Sequence, residues 1–235
     1  MIYLYSGTPG SGKSLHLTKD ILNYLKYRKA LVLCSEPVKI PEKYKQWGEF
    51  RKIDKLIITP DELYNIAVEW FSKHKMKEHG ILLIIDEAGD IFNPRTWGQA
   101  GRMEWLAFFR MHRHYGFDVI LAAQEDRQLD RQIRGVIQQE WRHKKLANYG
   151  LKGWIFSKIL MGNWICCQKK NYSDKIYCGC EWMRGCKKYY NMYNTFEGFN
   201  LSDKKIETLH PDEQEQDEIE QEIMEEDAAE QEVSA

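Results

Sequence analysis

The run Gly7-Thr8-Pro9-Gly10-Ser11-Gly12-Lys13-Ser14 has the residue types and spacing of a loop that cradles a nucleoside triphosphate. Its glycines let backbone N–H groups turn inward around a β-phosphate, Lys13 can reach the β and γ oxygens, and Ser14 offers a hydroxyl to Mg²⁺. Hydrolysis needs a second set of groups, and Asp86-Glu87, directly after the apolar run Ile81-Leu82-Leu83-Ile84-Ile85, supplies it. Asp86 is expected to hold Mg²⁺ through water and Glu87 to orient or deprotonate the attacking water. Gln124, closing the run Phe117–Ala123, is placed to sense the γ-phosphate. Arg127, Arg131 and Arg134 follow; an arginine reaching a neighbouring subunit's nucleotide would be Arg134 first, then Arg131. The ligands these groups imply are ATP and Mg²⁺.

Such groups converge only if strands and helices alternate around them. Met1–Tyr5 reads as the strand before the cradle, and a helix from Lys13 to about Arg28 follows, its positive end adding to the pull on phosphate. Ala30–Cys34 and Leu56–Ile58 read as further strands. Thr59, Pro60 and Glu62 form a helix start of the capping-box type, with Leu63, Ile66, Ala67, Trp70 and Phe71 at helical spacing to about Lys77. Ile81–Ile85, apolar throughout, predicts a strand covered on both faces, which belongs in a parallel sheet. Arg102–Tyr115 reads as a helix stopped by Gly116, and Asp126–Arg134 as a short helix. The fold class is α/β, a P-loop NTPase with a mainly parallel central sheet flanked by helices, a small β-rich C-terminal extension and a disordered acidic tail. The expected divisions are 1–138 for the ATPase core, 139–202 for the basic, aromatic-rich extension and 203–235 for the tail.

The formal charge of −1 conceals an asymmetry: from Asp203 onward 14 acidic residues face two lysines, leaving 32 basic against 21 acidic residues before it. A body this basic suits a polyanionic partner. Between Glu140 and Tyr193, Trp141, Trp154, Trp164, Tyr172, Trp182, Tyr189 and Tyr190 alternate with lysines and arginines, a mixture fitted to single-stranded DNA through stacking and phosphate contacts. A β-rich element whose rings pack on the core is the other reading of that stretch. Met1 leads straight into a strand, so no signal peptide is expected. The most apolar stretch, Leu151–Cys167, is interrupted by Lys152, Gly153, Ser157, Lys158, Gly162 and Asn163, so no membrane-spanning helix is expected. Cys34, Cys166, Cys167, Cys178, Cys180 and Cys186 lack the paired C-x₂-C spacing of structural zinc sites and read as free thiols, with zinc the lesser alternative.

The cradle GTPGSGKS, the run IIDEA with Pro94 eight residues after Asp86, the segment RMHRHYGFDVILAAQ and the later IRGV together resemble the zonular occludens toxin (Zot)-like family. That family includes the assembly and export ATPases of filamentous bacteriophages. The resemblance spans roughly Met1 to Phe199, and its most discriminating piece is the HRH-x-G-x-D run ending in Gln124. It implies nucleotide binding at Gly7–Ser14, metal and water handling at Asp86 and Glu87, and a sensor at Gln124. It also implies homo-oligomeric rings that drive extrusion of single-stranded phage DNA with coat or membrane assembly proteins as partners, in the host cytoplasm and at the inner membrane. Family members usually continue into a membrane-spanning helix, whereas this sequence continues into its acidic tail. The other function carried forward is a nucleotide-dependent scaffold that organises coat or membrane partners without being a motor. A small-molecule kinase is disfavoured, because no phosphate-acceptor site is recognisable.

Overall fold

The computed structural model describes residues 1–96, 101–150, 155 and 164–193. The acidic tail, residues 203–235, lies outside them, as does most of Leu151–Cys167; among the described residues no helix is long and apolar enough to cross a membrane. Residues 1–194 pack as one unit.

The strands are β1 Ile2–Ser6, β2 Leu31–Cys34, β3 Glu49–Lys52, β4 Ile81–Ile85, β5 Phe117–Ala123, β6 Gln139–Lys145, β7 Trp164–Asn171 and β8 Tyr177–Arg184. They form one eight-stranded sheet in the order β3-β2-β4-β5-β1-β6-β7-β8. The first six are mutually parallel, and β7 and β8 add an antiparallel edge. The sheet runs through the expected division at residue 138, since β6 pairs in parallel with β1 from Tyr3–Gln139 to Ser6–Arg142.

Helices α1 Lys13–Asn23, α2 Glu42–Lys45, α3 Pro60–Lys73, α4 Arg102–Met111, α5 Arg131–Val136 and α6 Lys187–Met192 cover the faces. Because side chains alternate across a strand, β4 divides its apolar run between two cores. Ile81, Leu83 and Ile85 join Leu63, Trp70, Phe108 and Ile133 on the face of α3, α4 and α5. Leu82 and Ile84 join Leu17, Ile21 and Met192 on the face of α1 and α6. Burial of each such side chain contributes about 1.5–3 kcal/mol, which is why a run apolar at every position is stable only between two helical layers.

Three element expectations need correction. The residues after β2 that pair are Glu49–Lys52, not Leu56–Ile58. Leu56 and Ile57 are 74% and 68% exposed, in a turn closed by Asp54, whose side chain accepts the Leu56 N–H at 2.9 Å. The polar β3 is an edge strand with a single neighbour, so it needs no apolar run, while an Asx turn tolerates exposed aliphatics. The first helix leaves regular α geometry after Asn23 and ends as a wider π turn at Tyr24–Arg28, released by Lys29 at φ 48°. The stretch Asp126–Arg134 is broken by extended residues at Leu129 and Asp130, and Asp130 caps α5 by accepting the Gln132 N–H at 2.6 Å. At α3 the reading is matched: the Thr59 side chain accepts the Glu62 N–H while the Glu62 carboxylate accepts the Thr59 N–H.

Candidate nucleotide site

The cradle joins the C-terminal end of β1 to α1, and its shape depends on glycine at two points. Gly7 has φ 146° and a Cβ there would meet the His143 carbonyl oxygen and Ser11 Oγ at 2.6 Å; Gly12 has φ 99° and a Cβ would meet Ile165 Cδ1 at 2.1 Å. Both backbones therefore pass where a side chain would strike β6 or β7, and both adopt conformations L-residues avoid. The turn is pinned by the Ser11 N–H donating to the Thr8 carbonyl at 3.0 Å and by the Gly7 N–H donating to the Gln124 carbonyl at 3.1 Å. Gln124 is thus carried to the cradle by its strand end, and its own N–H donates to Gln128 Oε1 at 3.0 Å.

Lys13 is buried and its ammonium donates to the Gly7 carbonyl at 2.7 Å. Burial draws this ammonium below the usual lysine range, opposed by the carboxylates of Asp86 and Glu87. The cation and the two acids, far apart in sequence, thus act on one another across the ends of β1 and β4. Asp86 is buried; its N–H donates to Ser35 Oγ at 2.8 Å, and its Oδ1 accepts the Glu87 N–H at 2.9 Å. Glu87 is half-buried with φ 47° and ψ 53°, a left-handed conformation uncommon for a residue other than glycine and concentrated at functional sites.

The donor set fits a triphosphate with Mg²⁺. Ser14 is half-buried at the start of α1, Asp86 faces Lys13, and the Ser11 hydroxyl oxygen is buried with no hydrogen-bond partner among the described residues. A buried, unsatisfied hydroxyl costs stability unless a ligand satisfies it.

Several contributors carry no signal in the sequence. The Lys55 ammonium donates to the Asp86 carbonyl at 3.1 Å and to Asp90 Oδ2 at 2.7 Å, bracing the turn after β4. Tyr193 is half-buried near Ser14, Asp86 and Glu36, and burial pushes its phenol up to about 12. Tyr193 arrives there through a β-bridge to Val38 and the Lys39 N–H donating to the Met192 carbonyl at 2.8 Å. Burial, then the nearby Asp86, raises the Glu36 carboxyl above its usual range. Ser35 and Lys55 sit in a strand end and a loop, where residue type alone marks nothing, and Tyr193 lies in the Tyr189–Phe196 segment that the family resemblance includes with no site role attached.

Beside Glu87 a cleft of about 340 Å³ is lined by Asp90, Arg95, Arg127 and Gln128 among others. Arg127 and Arg95 therefore share the acid's cleft. Arg134, the favoured candidate for a trans arginine, lies instead near Tyr172, whose hydroxyl donates to Asp126 Oδ2 at 3.1 Å. Tyr172 lies at the end of the sheet where β6 begins, its N–H donating to the Gln138 carbonyl at 2.9 Å. The His112-Arg113-His114 run also lies away from the cradle, next to the start of β5: the Phe117 N–H donates to the His112 carbonyl. His112 is buried with Nδ1 at 2.6 Å from the Phe109 carbonyl oxygen, whereas Arg113 and His114 are exposed. Of the extension's aromatics, Trp141 packs between Tyr3 and Tyr5 and under Lys169, while Trp182 and Tyr190 are 48% and 45% exposed. Trp154 lies outside the described residues.

Comparison with known proteins is consistent with this geometry. The chain is 23% identical over 215 residues to the Gene 1 protein of Enterobacteria phage M13, covering 85% of this chain and 60% of that protein, with the same figures for Enterobacteria phage f1. It thus spans less than two thirds of the length of these curated relatives. The N-terminal domain of zonular occludens toxin from Neisseria meningitidis superposes with a TM-score of 0.52 at 20% identity, over 82% of this chain and 98% of that one. The genome packaging NTPase B204 of Sulfolobus turreted icosahedral virus 2 gives a TM-score of 0.50 at 14% identity, over 79% and 97% of the two chains. The shared architecture is the P-loop NTPase fold. The family model described as Zonular occludens toxin (Zot) matches residues 1–195, and the chain belongs to that family.

Proposed function

We propose that this protein is an ATP-hydrolysing motor of filamentous phage morphogenesis, working as a ring that drives assembly and extrusion of single-stranded phage DNA at the host inner membrane. The observation that carries the reading is the convergence of Lys13 with Asp86 and Glu87 at the C-terminal ends of β1 and β4, where open parallel sheets bind ligands. Relatedness to the Gene 1 proteins of filamentous phages supports the phage context.

In the proposed reaction the Lys13 ammonium leaves the Gly7 carbonyl for the β and γ oxygens, and Ser14 and Asp86 hold the metal position. Mg²⁺ bound there would neutralise charge on the triphosphate. Glu87, held in its left-handed conformation beside the cleft, aligns a water in line with the γ-phosphorus and accepts its proton. Gln124, tied to the cradle through its carbonyl, reports the γ-phosphate. An arginine from a neighbouring subunit completes charge stabilisation, and Arg127 joins Arg134 and Arg131 as a candidate because it lines the Glu87 cleft.

Turnover measured with and without single-stranded DNA tests the proposal. Lys13→Ala is expected to abolish hydrolysis through lost nucleotide binding, and Glu87→Gln to abolish hydrolysis while retaining ATP. Single-stranded DNA is expected to accelerate wild-type turnover. Undiminished hydrolysis by Glu87→Gln removes its water-aligning role, and DNA-indifferent turnover favours the scaffold.

A further inference from the structure

His16 on α1, His143 on β6 and Cys167 on β7 meet behind the cradle, each no more than 2% exposed. One ligand atom from each lies within 4.8 Å of the others. We propose that these three residues form a binding site for a borderline transition-metal ion of the zinc class, separate in place and chemistry from the Mg²⁺ position at Ser14 and Asp86. Three ligands about 2.0–2.3 Å from a tetrahedral ion stand roughly 3.3–3.8 Å apart, so an ion fits with side-chain adjustments alone, the two imidazoles parting from 2.7 Å while Cys167 stays within the 4.8 Å span of the cluster.

The hydrogen bonds around the two imidazoles carry the assignment. His143 Nδ1 lies 3.3 Å from the Ser6 carbonyl oxygen, an acceptor that calls for a proton on Nδ1 and leaves the lone pair on Nε2. His16 Nε2 lies 3.8 Å from the Asp20 carboxylate and 4.0 Å from that of Glu181, too far for a hydrogen bond but a field that favours a proton on Nε2 and a lone pair on Nδ1. The two nitrogens so deprived are the pair that face each other, His16 Nδ1 and His143 Nε2, at 2.7 Å. At 2.7 Å the pair shares one proton in the metal-free protein, and a metal ion takes that proton's place once the rings part to about 3.3 Å, the proton passing to His16 Nε2 beside the carboxylates. A backbone carbonyl behind His143 is the outer-shell partner that orients a ligating imidazole, and the carboxylates beside His16 complement the charge of a bound cation.

Ligation deprotonates the thiol: Cys–SH and M²⁺ give Cys–S–M⁺ and one released H⁺. Two imidazoles and a thiolate suit Zn²⁺ and exclude Mg²⁺. An ion there ties the first turn of α1 and the end of β1 to β6 and β7, bracing the cradle from behind.

The test uses the full chain, stripped with chelator and titrated with Co²⁺. The expected result is one ion per chain, a thiolate-to-cobalt charge-transfer band, release of one proton and displacement by Zn²⁺. Cys167→Ser is expected to abolish the band and weaken Co²⁺ binding more than about 100-fold, beyond what loss of an outer-shell partner costs. Joint substitution of three extension thiols outside the cluster, Cys178→Ser, Cys180→Ser and Cys186→Ser, is expected to leave the band intact. X-ray absorption of the wild-type zinc form makes the test independent of how Cys167→Ser folds, and should read one sulfur and two imidazole ligands. A wild type without the band, a band that survives Cys167→Ser, one that follows Cys178, Cys180 or Cys186, or a zinc shell with no sulfur or several would each overturn the proposal. The first of these results leaves a histidine pair sharing one proton.

Discussion

Glu87 occupies a backbone conformation that costs a side-chain-bearing residue on the order of 1 kcal/mol. It is held there by the turn after β4, where its N–H reaches Asp86 Oδ1 and Lys55 spans Asp86 and Asp90. Glycine tolerates the same φ and ψ freely, so Glu87→Gly should raise thermal stability by about 1 kcal/mol while removing hydrolysis. Denaturant unfolding and turnover on the same preparation check this. A destabilised Glu87→Gly would show that the carboxylate contributes more to the fold than the strained backbone costs. Sequence reading could assign the acid a task from its place after an apolar strand, but not the strain, because φ is set by the turn and not by residue type.

The antiparallel edge is physically coupled to the cradle. Ile165 of β7 packs against Leu15 of α1 and Met183 of β8 and fills the space where a Cβ on Gly12 would sit. Ile165→Ala should cost about 2–5 kcal/mol, the range for truncating a buried aliphatic. It should also weaken nucleotide binding, since the cradle loses its backing. Ile133→Ala on α5, equally buried but on the opposite face of the sheet, should lose comparable stability and keep nucleotide affinity. Equal affinity in the two folded variants would sever β7 from the cradle.

For the whole molecule, acid is the informative stress. His112 is packed where α4 turns into β5, and burial, the largest influence, pushes its pKa down to about 4 from an ordinary 6.5. Below pH 6.5 the unfolded chain takes up a proton there that the folded chain refuses, so the unfolded state binds more protons and stability falls with pH. The contribution is whole above pH 6.5 and is lost between about 6.5 and 4, amounting to at most about 3 kcal/mol. His112→Gln should flatten this part of the stability curve relative to wild type. An unchanged slope by chemical denaturation across that window would locate the acid sensitivity elsewhere. His112 of the family-signature run is thus packed at the far end of the sheet from the cradle.

Local chemistry made the cradle, the capped start of α3 and the strand before Asp86-Glu87 legible from the amino-acid order. A glycine spacing, a Thr-Pro-Asp-Glu start and five consecutive aliphatics each have few physical solutions. The place of Gln124 at the end of β5 was legible for the same reason, as the polar end of an apolar strand. The edge strand β3 was not, because pairing on one side leaves no apolar imprint. Nor were Ser35, Lys55 and Tyr193 beside Asp86, or His16, His143 and Cys167 behind the cradle. The first set comes together through the pairing of β2 with β4 and the turns that follow them, the second through parallel pairing of β1 with β6 and antiparallel return of β7, and contacts between residues 31 to 127 positions apart leave no periodicity to read. The sequence determined which local structures form and which chemistry they can support; tertiary structure decided which side chains share a site.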